Sequence, residues 1–180
     1  MSKILKGHKV ILREKRIEDA VNDYTWSSDP ELARLDAASP LKISFPEFMA
    51  SHSEGLQHSS SRRRRFAIET LDGKHIGNCT YYDIDERKGE AELGIMIGDR
   101  QYWNQGYGSD AVTTLVSHIF QETKLNRIYL SVLDWNIRAQ KCFEKSGFVT
   151  RRRTMRNRNS FIIMELCRNW LEKSSGEEKT

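Results

Sequence analysis

The chain has 180 residues, of which 38% are hydrophobic and 30% charged, and its formal net charge is +4 at pH 7. This length suits one domain with its own core, which we place at residues 1–172, followed by a flexible tail at 173–180. No apolar run approaches the roughly 20 residues that a membrane span needs, and the N-terminus lacks a secretory signal, which favours a cytoplasmic protein without membrane contact. The three cysteines are far apart and the five histidines show no metal-ligand spacing, so neither disulfides nor a metal site are expected.

Arginine is concentrated in two blocks, at residues 62–65 and 151–158. Clustered arginine raises the local positive potential and attracts phosphate groups, RNA or acidic protein surfaces. Solvated loops or edge strands would give the same pattern. The blocks therefore predict either two solvated faces or a site for an acidic or RNA partner.

The first third of the chain predicts short, polar elements. Residues 10–13 have the pattern of a strand, and a helix is expected at about 18–26. A turn is expected at residues 29–30. Ser44 can cap a second helix that runs over about 46–56.

From Phe66 the hydrophobic period becomes two, which is typical of strands. Strands are predicted at 66–70, 75–84 and 91–98, and turn signals separate them. Three consecutive strands joined by short turns predict an antiparallel meander.

The rest of the chain alternates between helices and strands. A 3.6-residue apolar period predicts a helix with this inner face: Ala111, Val112, Leu115, Val116, Ile119 and Phe120. A strand follows at 127–133. Asn136 can cap a further helix that Gly147 ends, and strands are expected at 148–154 and 160–167. Together these elements predict an α/β fold with helices around a mixed sheet.

The segment from Gly98 to Ala111 carries the clearest sign of chemistry. Gly106 and Gly108 allow a tight turn and a close approach of the backbone to a ligand. The N–H groups of residues 105–109 would then lie at a helix N-terminus, which favours an anion such as pyrophosphate. From the glycines alone, a turn that merely begins a helix stays open.

Two other nucleotide motifs do not fit this segment. A P-loop requires a lysine that is absent here. The dinucleotide fingerprint is formally matched by Gly106, Gly108 and Ala111, but it should follow its strand directly and lie in a parallel sheet. Here about seven residues intervene after a meander, which argues against a dehydrogenase.

Residues 103–111, Trp-Asn-Gln-Gly-Tyr-Gly-Ser-Asp-Ala, resemble the acetyl-CoA pyrophosphate loop of the GNAT acyltransferases. Residues 136–148 resemble the second signature of that family, and residues 91–97 are most similar to its ribosomal-protein alanine and spermidine acetyltransferase branch. The resemblance implies a GNAT-like, mostly antiparallel sheet with a splayed central strand pair. It also implies transfer of the acetyl group of acetyl-CoA to a primary amine of a protein N-terminus, polyamine or small molecule. The amine would attack directly, without an acyl-enzyme.

The resemblance implies a set of cofactor-binding residues: Ile95, Ile97, Trp103, Asn104, Gln105, Gly106, Tyr107, Gly108, Ser109, Asn136 and Lys145. Main-chain groups of the two isoleucines and the side chain of Asn136 would hold pantetheine, while Lys145 would approach the nucleotide. Glu92 resembles the glutamate proposed as catalytic base in this branch. Its alternative role is that of an ordinary strand glutamate paired with an arginine.

The sequence departs from the family at the expected general acid. Many members have a tyrosine where Phe143 stands and others a serine where Ala139 stands, so neither hydroxyl is present. Cys142 is expected to be a core residue. The acid is then a water molecule, dispensable, or one of three other tyrosines: Tyr81, Tyr82 and Tyr129.

The acceptor amine and two other functions stay open. An acidic set in the helical half would suit a polyamine or a basic N-terminus: Glu31, Asp36, Glu47 and Glu54. The arginine blocks would disfavour both acceptors if they faced the site. The missing hydroxyls would also suit an acyl-CoA-binding module without turnover, and the arginine blocks an RNA- or ribosome-associated protein. Exposed late strands leave a homodimer open.

Overall fold

The computed structural model describes residues 4–58 and 60–169, and the tail expected at 173–180 lies outside them. The strands are β1 (Ile4–Lys6), β2 (Val10–Glu14), β3 (Arg63–Thr70), β4 (His75–Asp85), β5 (Glu90–Ile97), β6 (Arg127–Leu133), β7 (Val149–Arg156) and β8 (Asn159–Cys167). The helices are α1 (Ala20–Ser28), α2 (Pro30–Leu35), α3 (Phe45–Gln57), α4 (Tyr107–Glu122) and α5 (Ile137–Lys145). Short 3-10 turns lie at Ile17–Asp19 and Arg100–Tyr102. None of the helices in the described part of the chain has the length and apolar character to cross a membrane.

The eight strands form one sheet in the order β1-β2-β3-β4-β5-β6-β8-β7. Strands β5 and β6 run parallel, and every other neighbouring pair is antiparallel. The predicted meander is β3-β4-β5. The mixed, mostly antiparallel sheet that the sequence predicts is therefore confirmed.

Helix α4 covers one face of this sheet because one side of the helix is apolar. All six residues of its predicted inner face are buried: Ala111, Val112, Leu115, Val116, Ile119 and Phe120. They pack in one core with strand residues such as Leu12, Ile68 and Leu93, and Phe143 of α5 joins the same core. Removal of this apolar surface from water fixes α4 and α5 against the sheet.

The helices before residue 58 cover the opposite face, where a buried ion network attaches them. Arg13 of β2 donates hydrogen bonds to Asp19 at 2.7 Å and to Glu69 at 2.6 Å. Lys15 lies 2.7 Å from Asp23 of α1. Because each buried charge has an opposite partner, the network avoids the cost of an isolated buried ion. Helices on both faces of the sheet are thus confirmed.

Two elements in the first third of the chain were not predicted. One is the edge strand β1, and the other is α2, which begins where a turn was expected. Asp29 accepts hydrogen bonds from the N–H groups of Glu31 and Leu32, at 2.9 and 3.0 Å, and Pro30 occupies the first position of the helix. The prediction of a turn at residues 29–30 was therefore wrong, because a helix begins there. The helix was missed because its six residues are too few to show an apolar period.

The central strand pair separates along its length. Strands β5 and β6 pair at Glu90 with Arg127, at Ala91 with Ile128 and at Glu92 with Tyr129, and at no later residue that the structure describes. Strand β5 nevertheless continues to Ile97 and β6 to Leu133. This is the splayed pair that the family resemblance implies, and the gap begins immediately after Glu92.

Candidate active site

The loop before α4 is shaped by two residues in the left-handed region. Asn104 has a φ of 59° and Gly106, the N-cap of α4, has a φ of 84°. The first helical N–H to find a partner is that of Asp110, which donates to Gly106 O at 3.0 Å. The N–H groups of residues 107–109 precede it and lie at the positive end of the helix dipole. This geometry favours an anion.

Asp110 ties this loop to the N-terminal hairpin. Its carboxylate accepts hydrogen bonds from the main-chain N–H groups of His8, Lys9 and Val10, at 3.1, 2.7 and 3.1 Å. The ammonium of Lys9 donates in turn to Gln105 O at 2.9 Å. The loop is therefore held from behind by the β1–β2 turn, a contact between distant residues that the sequence did not reveal.

Gly108 has a packing role that was not predicted. A Cβ atom at this position would lie 3.2 Å from Cys142 Sγ and 3.8 Å from Ile97 Cγ1. The missing side chain therefore makes room for α5 and β5. That Gly108 also clears the approach of phosphate stays a prediction, and Gly106 needs its left-handed conformation.

A cleft of about 300 Å³ opens beside this loop, between α2, α5 and the end of β5. Nine of the predicted cofactor-binding residues line it: Ile95, Ile97, Trp103, Asn104, Gly106, Gly108, Ser109, Asn136 and Lys145. The predicted residues Gln105, Tyr107 and Glu92 are not part of its wall. The ring of Tyr107 packs instead edge to face against Tyr102, with ring centres 5.0 Å apart.

Cationic side chains of α5 complete one wall of the cleft. Arg138, Lys141 and Lys145 all line it. The guanidinium of Arg138 lies 3.4 Å from the ring centre of Trp103, and burial lowers the pKa of Arg138. Arg138 and Lys141 were missed by the sequence reasoning. Arg138 and Lys141 lie seven and four residues before Lys145, which places all three on one face of the helix, and this spacing is the signal that could have found them.

The main chain of β5 turns its free edge toward the gap. Gly98 N donates to Ile76 O of β4 at 2.9 Å, so the alternation of an antiparallel ladder directs the main-chain groups of Ile97 and Ile95 away from β4. One of these groups is already engaged, because Trp103 Nε1 donates to Ile97 O at 2.6 Å. The other main-chain groups of Ile95 and Ile97 remain beside the cleft.

The residues around the cleft fit coenzyme A. Helix N–H groups and three cations suit its phosphates, and an exposed strand edge suits the amide groups of pantetheine. Asn136, which caps α5 by accepting a hydrogen bond from Ala139 N at 3.3 Å, lies at the same cleft. Within residues 4–58 and 60–169, no three His, Cys, Asp or Glu side chains are grouped as a metal site requires.

Glu92 lies on the face of the sheet opposite to α4, at the point where β5 and β6 separate. Its carboxylate is half-buried and accepts a hydrogen bond from Ser131 Oγ at 3.0 Å. Burial, together with the charge of Glu92 and hydrogen bonding to it, raises the pKa of Tyr82, and burial and Glu92 also raise the pKa of Tyr129. Glu92 forms no ion pair with any residue in the described part of the chain, whereas Glu90 and Glu165 share Arg127 at 2.6 Å each.

A family model described as an acetyltransferase (GNAT) domain matches residues 9–149. The chain belongs to the GNAT family. It is 29% identical over 145 residues to the uncharacterized N-acetyltransferase p20 of Bacillus licheniformis, covering 80% of this chain and 81% of that protein. It is 30% identical over 82 residues to the spermine/spermidine N(1)-acetyltransferase of Bacillus subtilis, covering 43% and 54% of the two chains.

Solved structures share this fold. The spermidine N-acetyltransferase of Vibrio cholerae, in complex with CoA and spermine, has a TM-score of 0.78 at 20% identity and covers 89% of this chain and 96% of that one. The aminoglycoside acetyltransferase AAC(6')-Ib, in complex with coenzyme A, has a TM-score of 0.75 at 19% identity and covers 92% and 99%. The resemblance drawn from residues 103–111 and 136–148 is thus confirmed, and the chain is an acetyl-CoA-dependent acyltransferase of the GNAT family.

The two positions that depart from the GNAT pattern both lie at the cleft. Phe143 and Ala139 line it, and the ring of Phe143 also packs against Phe148, with ring centres 5.9 Å apart. Cys142 was expected to be core, but it is half-buried and lines the cleft as well, and burial raises the pKa of its thiol. Among the tyrosines considered as replacement acids, Tyr82 and Tyr129 flank Glu92, while Tyr81 is buried and stacks on Phe66.

The arginine blocks of this GNAT domain lie on different strands. Arg63 of β3 is opposite Tyr82, which is opposite Glu92, and the Arg63 guanidinium lies 5.3 Å from the ring centre of Tyr82. Arg65, two residues along the same strand and opposite Thr80, lies on this face as well, so the first block contributes two cations to the Glu92 face. The second block lies on the edge strand β7, where Arg151 pairs with Glu165.

Proposed function

We propose that this protein transfers the acetyl group of acetyl-CoA to a primary amine of a small molecule, by direct attack of the amine. The observation that carries the proposal is Glu92, a half-buried carboxylate that forms no ion pair within residues 4–58 and 60–169, at the start of the gap between β5 and β6. The polyamine and aminoglycoside acetyltransferases among its relatives support a small amine as acceptor. We also propose a cytoplasmic location, because no apolar run of the sequence approaches the length that a membrane span needs.

The cleft binds the acetyl donor in this proposal. The N–H groups of residues 107–109, with Arg138, Lys141 and Lys145, hold the phosphates. The free main-chain groups of Ile95 and the side chain of Asn136 orient the pantetheine arm. When bound, acetyl-CoA supplies an acetyl group activated as a thioester. Met96 points to the face opposite Ile95 and Ile97 along the strand, yet all three line the cleft, so the cleft extends through the gap in the sheet.

Glu92 removes the proton that blocks the acceptor. A free alkylamine has a pKa of about 10.4 and is protonated at neutral pH, so a base must take its proton, directly or through water. Ser131 and Tyr82 fix the carboxylate of Glu92 by hydrogen bonds. Because Glu92 pairs with no arginine in the described part of the chain, its carboxylate is available to accept the proton at the mouth of the gap.

The test is release of coenzyme A thiol from acetyl-CoA over a panel of primary amines, with the variants Glu92→Gln and Glu90→Gln. Glu90 is a matched control because it lies two residues away on the same strand and pairs with Arg127. We expect Glu92→Gln to lower kcat/KM by about 10²-fold or more, with a smaller loss at high pH, where the amine is already neutral. Glu90→Gln should retain most of the activity.

Two results would contradict this proposal. Stabilisation by acetyl-CoA without thiol release for any amine would indicate an acyl-CoA-binding module instead. Wild-type activity of Glu92→Gln at pH 7 would show that Glu92 is an ordinary strand residue.

A further inference from the structure

Asp36 follows the last turn of α2 and lies in the wall of the cleft, together with Leu32, Leu35 and Met96. Of the acidic residues noted in the helical half, it is the one that lines this cleft. Glu31, by contrast, pairs with Arg100 at 2.8 Å on the outer side of α2. Asp36 therefore adds a negative charge to a cleft whose α5 wall is cationic.

The carboxylate of Asp36 has no partner in the described part of the chain. It receives no hydrogen bond and forms no ion pair there, and although the residue is exposed to the open cleft, the surrounding protein atoms raise the pKa of its carboxyl. A partly desolvated carboxylate without a donor gains more from a bound cation than a fully hydrated one does. Its surroundings thus prepare it for a positively charged group.

Asp36 also lies near the catalytic side of the sheet. Its charge contributes to the raised pKa of Tyr82, the residue that hydrogen-bonds to Glu92. The charge of Asp36 therefore acts on the side of the sheet that carries the proposed base. Arg63 is held over the ring of Tyr82, and neither Arg63 nor Arg65 is part of the cleft wall.

The helix that carries Asp36 is attached at both ends of its outer surface. Arg100 lies 2.8 Å from both Asp29 and Glu31. The guanidinium of Arg34 lies 4.6 Å from the ring centre of Trp135. These contacts attach α2 to the rest of the protein without using the carboxylate of Asp36.

We propose that Asp36 binds a second cationic group of the acceptor, so that the acceptor is a diamine or polyamine. One amino group is placed at Glu92 for deprotonation and acetylation, and another forms a charge-assisted hydrogen bond with Asp36 in the wall of the cleft. The inference rests on the proposed acetyl transfer and names the class of amine that the site selects.

The experiment compares three acceptors with four-carbon chains: putrescine, butylamine and gamma-aminobutyrate. It measures kcat/KM for the wild-type enzyme and for Asp36→Asn, with Asp36→Ser as a second neutral variant. Asp83→Asn is the matched control, since Asp83 also contributes to the field at Tyr82 but does not line the cleft. Asn keeps the left-handed conformation that Asp83 has, with a φ of 50°. Thermal unfolding with and without acetyl-CoA verifies that each variant folds and binds the donor.

We expect the wild-type enzyme to prefer putrescine to butylamine by about tenfold or more, as a hydrogen bond between charged groups provides. Asp36→Asn and Asp36→Ser should lose most of this preference through a higher KM for putrescine, and Asp83→Asn should keep it. Equal use of both amines, a preference for gamma-aminobutyrate, or an unchanged preference in the Asp36 variants would overturn the inference while leaving acetyl transfer intact. Absence of thiol release with every amine would contradict the proposed function itself.

Discussion

Replacement of Gly108 by valine tests whether α4 and α5 must touch for the cleft to form. A Cβ atom here would lie 3.2 Å from Cys142 Sγ, closer than ordinary van der Waals contact, and valine adds two methyl groups to it. Overpacking of this kind destabilises a protein by about 1–3 kcal/mol. For a chain of this length, we expect the melting temperature to fall by roughly 2 to 12 °C.

The variant Cys142→Ala should relieve much of this strain, because it removes the sulfur and leaves only the ordinary contact of 3.8 Å with Ile97. We therefore expect Gly108→Val to be less destabilising in the Cys142→Ala background, by about 1 kcal/mol, which is within the range found for residues in contact. Acetyl-CoA at a hundredfold excess over its Kd should stabilise the wild-type protein by about 2.7 kcal/mol. That stabilisation should be smaller in Gly108→Val and partly restored in the double variant.

The assay is urea denaturation of the wild-type protein, both single variants and the double variant, each with and without acetyl-CoA. Additivity of the two substitutions within about 0.5 kcal/mol would show that Gly108 and Cys142 do not press on each other. Full stabilisation of Gly108→Val by acetyl-CoA would show that binding does not depend on the packing of α4 against α5. Either result would refute the role assigned to Gly108.

Two further predictions concern the cleft and the buried ion network. Phe143→Tyr should fold normally and raise turnover modestly, and only at low pH. The reason is that the coenzyme A thiol, with a pKa near 8.5, can leave as a thiolate without a general acid. Unfolding of this variant would show that position 143 tolerates no hydroxyl. Stability should fall as the pH decreases below about 6.5, because burial and Lys15 lower the pKa of His75, so that the unfolded chain binds the proton first. It should fall further below about pH 3.9, because the pKa of Asp19 is lowered as well: burial opposes this shift, but hydrogen bonds from Arg13 and the Arg16 N–H, together with the charge of Lys15, outweigh it. Melting temperatures across this range test both, and a His75→Gln variant that loses stability as steeply as wild type between about pH 6.5 and 5 would contradict the assignment to His75.

The second half of the fold could be predicted because its signals are local and long. The apolar period of α4 extends over four turns, and each strand of the meander is bounded by turn residues that force its direction, such as Gly73 with a φ of 88°. The first third offered less. Strand β1 has three residues and α2 has six, so neither repeats an apolar pattern often enough to be distinguished from a loop.

The same limit applies to the site. The loop at residues 103–109 and the cap at Asn136 were found because turn and cap chemistry are written in consecutive residues. The packing role of Gly108 was not found, because the atoms beside it belong to Cys142 and Ile97, which come near only in the folded chain. Asp36 was named only as one of four acids, and its place in the cleft depends on a helix that was not predicted.

The proposed base and the proposed acceptor-binding carboxylate are held in place by different kinds of contact. The proposed base lies on β5, where strand pairing with β4 and β6 fixes it in the middle of the sheet. The proposed acceptor-binding carboxylate lies after α2, a short helix whose outer side is held by exposed contacts such as that of Arg100 with Glu31. Exposed ion pairs contribute little to stability, usually below about 1 kcal/mol. Changes in α2 can therefore alter which amine is bound without disturbing the proton transfer at Glu92 or the packing of α4 against α5.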